Sequence, residues 1–175
     1  LAPGAVATSE LAYYSKGGGL IWSEPRGRAA GYRWPQFSIH RGLLHMTLYE
    51  ACIERMGPDA VCTGHRLIGF EPVDGGVRAT FARSDDATPG GDGDLTVDGP
   101  LLVGADGIHS VTRRQFYPAE GAPIWNGAVL WRGVSDAQPF LTGTTMIMAG
   151  HEFQKFVCYP IGKSGNPDAP VRLNW

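Results

Sequence analysis

Leu101-Leu102-Val103-Gly104-Ala105-Asp106-Gly107-Ile108-His109-Ser110-Val111-Thr112-Arg113 decides how this sequence is read. The apolar run predicts a short buried strand, the glycine a turn, and the residues after it the start of a helix. Asp106 falls where the strand should end. In open α/β sheets, ligands bind in the crevice outside the carboxyl ends of the strands. A carboxylate there can accept hydrogen bonds from a ribose or ribityl hydroxyl, and Gly107 lets backbone approach a ligand without a Cβ clash. The helix N-terminus offers free N–H groups and a positive dipole end to phosphate oxygens. Asp106 serves equally well as a cap for that helix. The spacing leaves both roles open, because the chain contains no G-x-G-x-x-G to accompany its single G-A-D-G.

Composition narrows the class. The 175 residues suffice for one domain or parts of two. Apolar residues make up 43% and charged residues 18%, an ordinary globular balance. A net charge of −2 supplies no basic footprint for nucleic acid. No apolar run is long enough to span a membrane. Leu1-Ala2-Pro3-Gly4 lacks the basic and apolar regions of a signal peptide. Cys52, Cys62 and Cys158 form no CxxC and no framework, which fits a reducing, cytoplasmic setting and gives no metal site. The chain starts without Met, and Val171-Arg172-Leu173 runs as an extended pattern up to Asn174-Trp175. An excerpt of a longer protein is expected.

Working outward from the opening stretch, Glu10–Ser15 and Gly19–Ser23 predict a hairpin about Lys16-Gly17-Gly18. A helix is expected from Arg41 to Met56, with Leu44, Leu48, Cys52 and Met56 on one face and a stop at Gly57-Pro58. Ala60–Thr63, Arg66–Val73 and Gly76–Arg83 read as strands; in the last, Val77, Ala79 and Phe81 alternate with polar residues. Ser84–Asp94 reads as a solvated loop whose aspartates lack EF-hand spacing. Leu95–Asp98 and Pro100–Ala105 then lead as strands into a helix over Ile108–Phe116, closed by Pro118. Beyond it, Ala128–Val134, Thr144–Ala149, Phe153–Tyr159 and Val171–Trp175 predict a mainly antiparallel sheet. The expected class is therefore α/β, or α+β overall. The change of character places a subdomain boundary near Pro118 to Asn126, with an α/β segment before it and a mainly antiparallel sheet after it.

Other residues could carry chemistry. Arg41 in the first turn of a helix opposes the dipole unless an anion compensates, and a diphosphate pairs well with guanidinium; a surface ion pair explains it too. Arg113 could pair with a carboxylate or line a cofactor groove. His40 and His45 do not form H-E-x-x-H, and Ser110 beside His109 lacks a G-x-S-x-G elbow. Trp131, Met146, Met148, Phe156 and Tyr159 could wall an aromatic ligand or simply be sheet core.

Taken together, these stretches resemble the group A flavin-dependent aromatic monooxygenases, with the para-hydroxybenzoate hydroxylase type of fold. That family's D-G-x-x-S-x-x-R stands here complete as Asp106-Gly107-Ile108-His109-Ser110-Val111-Thr112-Arg113. Ile21–Gly27, Phe37–Gly42, Leu130–Val134 and Tyr159-Pro160-Ile161 resemble the subgroup typified by the methylphenazine-carboxylate monooxygenases of pyocyanin synthesis. The resemblance implies FAD and NAD(P)H as cofactors, O2 as co-substrate, and hydroxylation of a small aromatic or heteroaromatic substrate. It implies Arg41 near the FAD diphosphate, and main chain at Val61, on a strand, near the adenine. It implies Asp106 and Gly107, with Arg113, at the cofactor. It implies that residues 1–120 are a partial, Rossmann-like FAD-binding domain with inserted hairpin strands and 121–175 a partial substrate-binding sheet, in which Trp131, Met146 and Tyr159 would lie. Because the flavin carries the hard chemistry, no catalytic residue is assigned. The family's G-x-G-x-x-G turn, ribose-binding acid and downstream G-D motif are not in the sequence, so this excerpt alone is expected to be inactive. Unpaired strand edges would favour association, such as a homodimer. Two alternatives are a non-oxygenating FAD oxidoreductase of the same fold and an inactive binding module.

Overall fold

A computed structural model describes residues 4–83, 93–163, 166 and 169–175. The chain divides into two compact units. One combines residues 1–57 with 129–175, and the other comprises 58–128. The early hairpin falls in the same unit as the late strands.

In the first unit, β1 (Ala5–Thr8) pairs antiparallel with β4 (Gln36–Ile39). β2 (Glu10–Ser15) and β3 (Leu20–Pro25) form the expected hairpin. Its turn is closed by Ser15 and Gly19, and Gly18 takes the left-handed φ of +84° that only glycine adopts freely. Four later strands complete a six-stranded sheet: β8 (Val134–Ala137), β9 (Thr145–Gly150), β10 (Lys155–Pro160) and β11 (Val171–Asn174). The order is β3-β2-β9-β10-β11-β8. All its pairings are antiparallel except β2 with β9, where Glu10 opposes Thr145 and Ser15 opposes Gly150. The buried apolar residues of this unit are mostly small: Ala5, Val6, Leu11, Ala12, Cys158, Ile161 and Leu173.

The expected strand over Ala128–Val134 is confined to its last residue. Residues 128–133 form no ladder, and Trp131 is 84% exposed. Gly133 is tied down by reciprocal amide–carbonyl bonds with Trp175, of 2.9 and 3.0 Å. α1 spans Arg41–Met56 as expected and stops at Gly57, whose N–H bonds the Ile53 carbonyl at 2.9 Å. Its apolar face is not buried: no residue of α1 is, and Leu48 and Met56 are exposed. Periodicity fixed the helix but not what it packs against.

The second unit is a three-stranded antiparallel meander, β5 (His65–Val73), β6 (Gly76–Arg83) and β7 (Leu95–Gly99), followed by α2 (Val111–Phe116). Ala79 and Ala82 of β6 are buried. α2 docks on β5 through Phe70 and Phe116, ring centroids 5.4 Å apart, and through Gln115, whose side-chain amide bonds both backbone groups of Phe70.

Three expectations fail in this unit. Ala60–Thr63 is not a strand: Pro58–Ala60 is a 3-10 turn, and residues 61–64 make no ladder, so Val61 lies on no strand. Leu101–Ala105 is not a buried strand either; it has no regular structure, with Leu101 77% and Val103 75% exposed. Both have one cause. A central strand needs partners to satisfy its N–H and C=O groups, and no described strand pairs with either stretch. α2 also begins at Val111, not Ile108, because its cap is Ser110. The Ser84–Asp94 loop lies outside the described residues apart from its last two positions.

The result is a mixed α/β chain. No helix is long and apolar enough to cross a membrane among the described residues.

Candidate functional site

The D-G-x-x-S-x-x-R element folds into a closed turn around one carboxylate. Asp106 Oδ1 accepts from the Ser110 hydroxyl at 2.6 Å. Oδ2 accepts the backbone N–H groups of Val111 at 2.7 Å and Thr112 at 3.2 Å. Ser110 Oγ in turn accepts the Arg113 N–H at 2.9 Å, the bond of an N-cap. Three of the helix's free N–H groups are thus satisfied by two side chains. The Ser110 hydroxyl is the main reason the Asp106 carboxyl is held down at about 2, with the Thr112 and Val111 amides adding to it against partial desolvation. Asp106 is an anion throughout the physiological range.

The glycines have distinct reasons. Gly107 takes φ +77° with open space where a Cβ would stand. At Gly104 a Cβ would come within 2.7–2.8 Å of the Thr112 side chain, so glycine lets the extended segment pass close to α2. Arg113 is engaged locally: its Nε donates to Glu120 at 2.7 Å and its Nη2 to the Ile108 carbonyl at 2.6 Å. Pairing with a carboxylate is one of the two roles expected of it.

This geometry supplies the cap role for Asp106 without removing the other. A carboxylate has about four acceptor positions, and Oδ1 has a single donor in the turn. Spacing had marked Ser110 only as a nucleophile lacking its elbow. Its actual work, capping α2 while fixing Asp106, was legible as an Asp and a Ser four residues apart just before a helix.

The other candidates sit as follows. Arg41 heads α1 on the exposed side and has no ion pair among the described residues; His40 before it makes no side-chain cap bond. Met146 and Met148 lie on one face of β9, and Met148 pairs with Val157, two residues before Tyr159. Residues paired across a ladder share a face, so Met146, Met148 and Tyr159 look the same way. Phe156, paired with Ala149, looks the other way. Trp131 lies on no strand and is not brought to that face by the sheet. No group of three His, Cys, Asp or Glu that could hold a metal ion occurs among the described residues.

No protein-family model matches the chain. It is 36% identical over 178 aligned residues to a phenazine 1,6-dicarboxylic acid hydroxylase, PhzS, of Lysobacter antibioticus, covering 100% of this chain and 42% of that protein. It is 34% identical over 102 residues to an aurachin C monooxygenase/isomerase of Stigmatella aurantiaca, covering 58% of this chain and 23% of that one. The chain therefore spans under half the length of the curated relatives it matches. Among solved structures it is similar to native FqzB, with a TM-score of 0.62 at 16% identity over 99% of this chain and 37% of that one. It is also similar to RebC-10x, with a TM-score of 0.53 at 19% identity over 98% and 33%. Those two likenesses concern the fold alone. The likeness to the phenazine hydroxylase extends in sequence along the whole chain, Asp106 to Arg113 included.

Proposed function

We propose that these residues form part of an FAD-dependent monooxygenase that hydroxylates a small aromatic or heteroaromatic substrate using NAD(P)H and O2. The observation that carries this reading is the closed Asp106 turn, in which every fixed residue of D-G-x-x-S-x-x-R has a structural job. The hydroxylase and monooxygenase relatives support it at family level.

The residues present fit such a cofactor at two places, each within its own unit. Arg41 is an exposed guanidinium without a carboxylate partner among the described residues, at the head of a sixteen-residue helix; it would pair with a diphosphate. Asp106 is a fixed anion with acceptor capacity on Oδ1; it would accept from a cofactor hydroxyl, with Gly107 keeping the approach open. Val61 would offer main chain toward an adenine, and Arg113 would hold the Asp106 turn in shape. Met146 and Tyr159, with Trp131, would line the substrate side. In this reading Leu101–Ala105 orders as a strand of a Rossmann-like sheet once its neighbours are present. When bound, a flavin supplies the redox and oxygen chemistry, while the protein binds, orients and excludes water. No acid–base residue of this chain is required.

The test is flavin content. A polypeptide carrying these residues at the full length of its hydroxylase relative should purify yellow, and Arg41→Ala or Asp106→Ala should lower bound flavin or slow its reduction by NADH or NADPH. Colourless protein that takes up no added FAD would overturn the proposal. Substrate-dependent NAD(P)H consumption without a hydroxylated product would favour the non-oxygenating oxidoreductase.

A further inference from the structure

The turn that ends the unit of residues 58–128 carries chemistry that needs no cofactor. Asn126 and Gly127 are both exposed there. Asn126 Oδ1 accepts the Ala128 N–H at 3.0 Å, the bond of an Asx turn, and the Trp125 indole N–H donates to the Ala128 carbonyl at 2.8 Å. The turn is thus pinned at both backbone groups of Ala128. Gly127 takes φ +84° with open space where a Cβ would stand, and its own N–H meets no acceptor among the described residues.

Asparagine amides are chemically labile, and their loss needs the next backbone nitrogen as nucleophile. The chain has three asparagines. Asn166 precedes Pro167, which has no N–H to lose. Asn174 lies in β11, and the nitrogen after it, of Trp175, donates to the Gly133 carbonyl at 3.0 Å. Among the described residues, Asn126 alone combines exposure with a following nitrogen that is unhindered by a Cβ and uncommitted to an acceptor.

We propose that Asn126-Gly127 is a self-modification site, at which the folded chain converts Asn126 into aspartate and isoaspartate through a cyclic imide. The Gly127 nitrogen gives its proton to solvent and attacks Asn126 Cγ. The new C–N bond closes the imide ring, the Cγ–Nδ2 bond breaks, and Nδ2 leaves as ammonia with a proton returned from solvent. Water then adds to the imide. Opening at Cγ gives aspartate; opening at the main-chain carbonyl carbon of residue 126 gives isoaspartate, whose backbone runs through Cβ and Cγ. Nothing is oxidised or reduced, and water is the co-reactant. The Ala128 N–H is the turn's contribution: it donates to Oδ1, the oxygen on which negative charge develops as the ring closes. Holding nucleophile and electrophile in one pinned turn adds orientation. Each conversion adds one negative charge to a chain whose net charge is −2. Isoaspartate also lengthens the main chain between Trp125 and Ala128, the two residues that the indole bond ties together.

The experiment incubates the folded 175-residue chain at mildly alkaline pH and follows the peptide holding residue 126 by mass spectrometry. That peptide should gain the mass of an amide replaced by an acid and split into two isomers, the isoaspartyl one accepting a methyl group from isoaspartyl methyltransferase. A synthetic peptide of residues 121–131 should convert no faster than the folded chain, and Asn174 should stay intact until urea is added. Gly127→Ala should slow conversion about ten-fold, because alanine resists the left-handed φ and its methyl group crowds the nitrogen. Asn126→Gln, whose longer side chain closes a larger ring, should stop it, with circular dichroism showing both variants folded. Faster conversion in the peptide than in the folded chain, or conversion of native Asn174 in step with Asn126, would overturn the proposal. So would an unchanged rate in Gly127→Ala or a persisting mass gain in Asn126→Gln.

Discussion

Asp106 and Ser110 are joined by a 2.6 Å hydrogen bond, and each then reaches forward to a different N–H of α2. The aspartate is thereby an anion with fixed orientation and the serine a donor and acceptor at once. Its depressed pKa sets a pH window. A carboxylate whose folded pKa lies below its unfolded value adds stability that is fully present above the unfolded value and is lost as pH falls through the folded one. Here the window runs from the ordinary 3.8 down to about 2. The Val111 and Thr112 amide resonances should shift with a midpoint near 2, and Ser110→Ala should move that midpoint upward. A midpoint at the ordinary value in the unaltered chain would count against the turn.

Ser110→Ala should also cost about 1 kcal/mol, the usual loss when an N-cap serine becomes alanine. Denaturant unfolding reports it, and Ser110→Asp, which keeps the cap acceptor, should recover most of the loss. Equal destabilisation by both variants would show that the cap bond is not what matters.

Thr145 is fully buried where the parallel strands β2 and β9 meet. Its hydroxyl donates to Glu10 at 2.9 Å and lies 2.6 Å from that of Thr142. Thr145→Val keeps the shape but strands these partners, so a loss of roughly 1–3 kcal/mol is expected. Thr145→Ser should cost less. Equal stability of Thr145→Val and the parent chain would show that water replaces the hydroxyl without cost.

At Gly133 an added Cβ would collide with the Trp175 indole. Gly133→Ala should destabilise by about 1–3 kcal/mol through overpacking. Trp175→Ala should relieve it: in a double-mutant cycle, adding Gly133→Ala to Trp175→Ala should be nearly neutral. Additive losses would place the strain in the backbone rather than at the ring.

The thiols should react in order of access. Cys62 is exposed, Cys52 half-buried and Cys158 buried, and burial pushes the Cys158 thiol pKa up. Both effects lower its thiolate reactivity. Labelling at mildly alkaline pH, followed by mass spectrometry, should modify Cys62 first and Cys158 only on unfolding. Early labelling of Cys158 would mean that β10 opens in the native chain.

Local chemistry made much of this legible. Gly57 and Pro58 stop α1 at the expected residue, and the alternation of Val77, Ala79 and Phe81 marks β6. The complete D-G-x-x-S-x-x-R located the turn that the structure closes. What failed depends on partners distant in sequence. Leu101–Ala105 reads as a strand because it is apolar, yet a ladder needs neighbours that apolarity does not specify. The strand expected through Trp131 fails for the same reason.

The β2–β9 pairing has a consequence for synthesis. Glu10 and Thr145 are adjacent in the sheet, yet a ribosome adding about 5–20 residues per second delivers the second on the order of ten seconds after the first. Throughout that interval the β2–β3 hairpin offers an open edge, while residues 58–128, contiguous in the chain, are free to fold. The unit begun first is therefore completed last, and the nascent hairpin is where a chaperone or a second copy of the chain would find an unpaired strand.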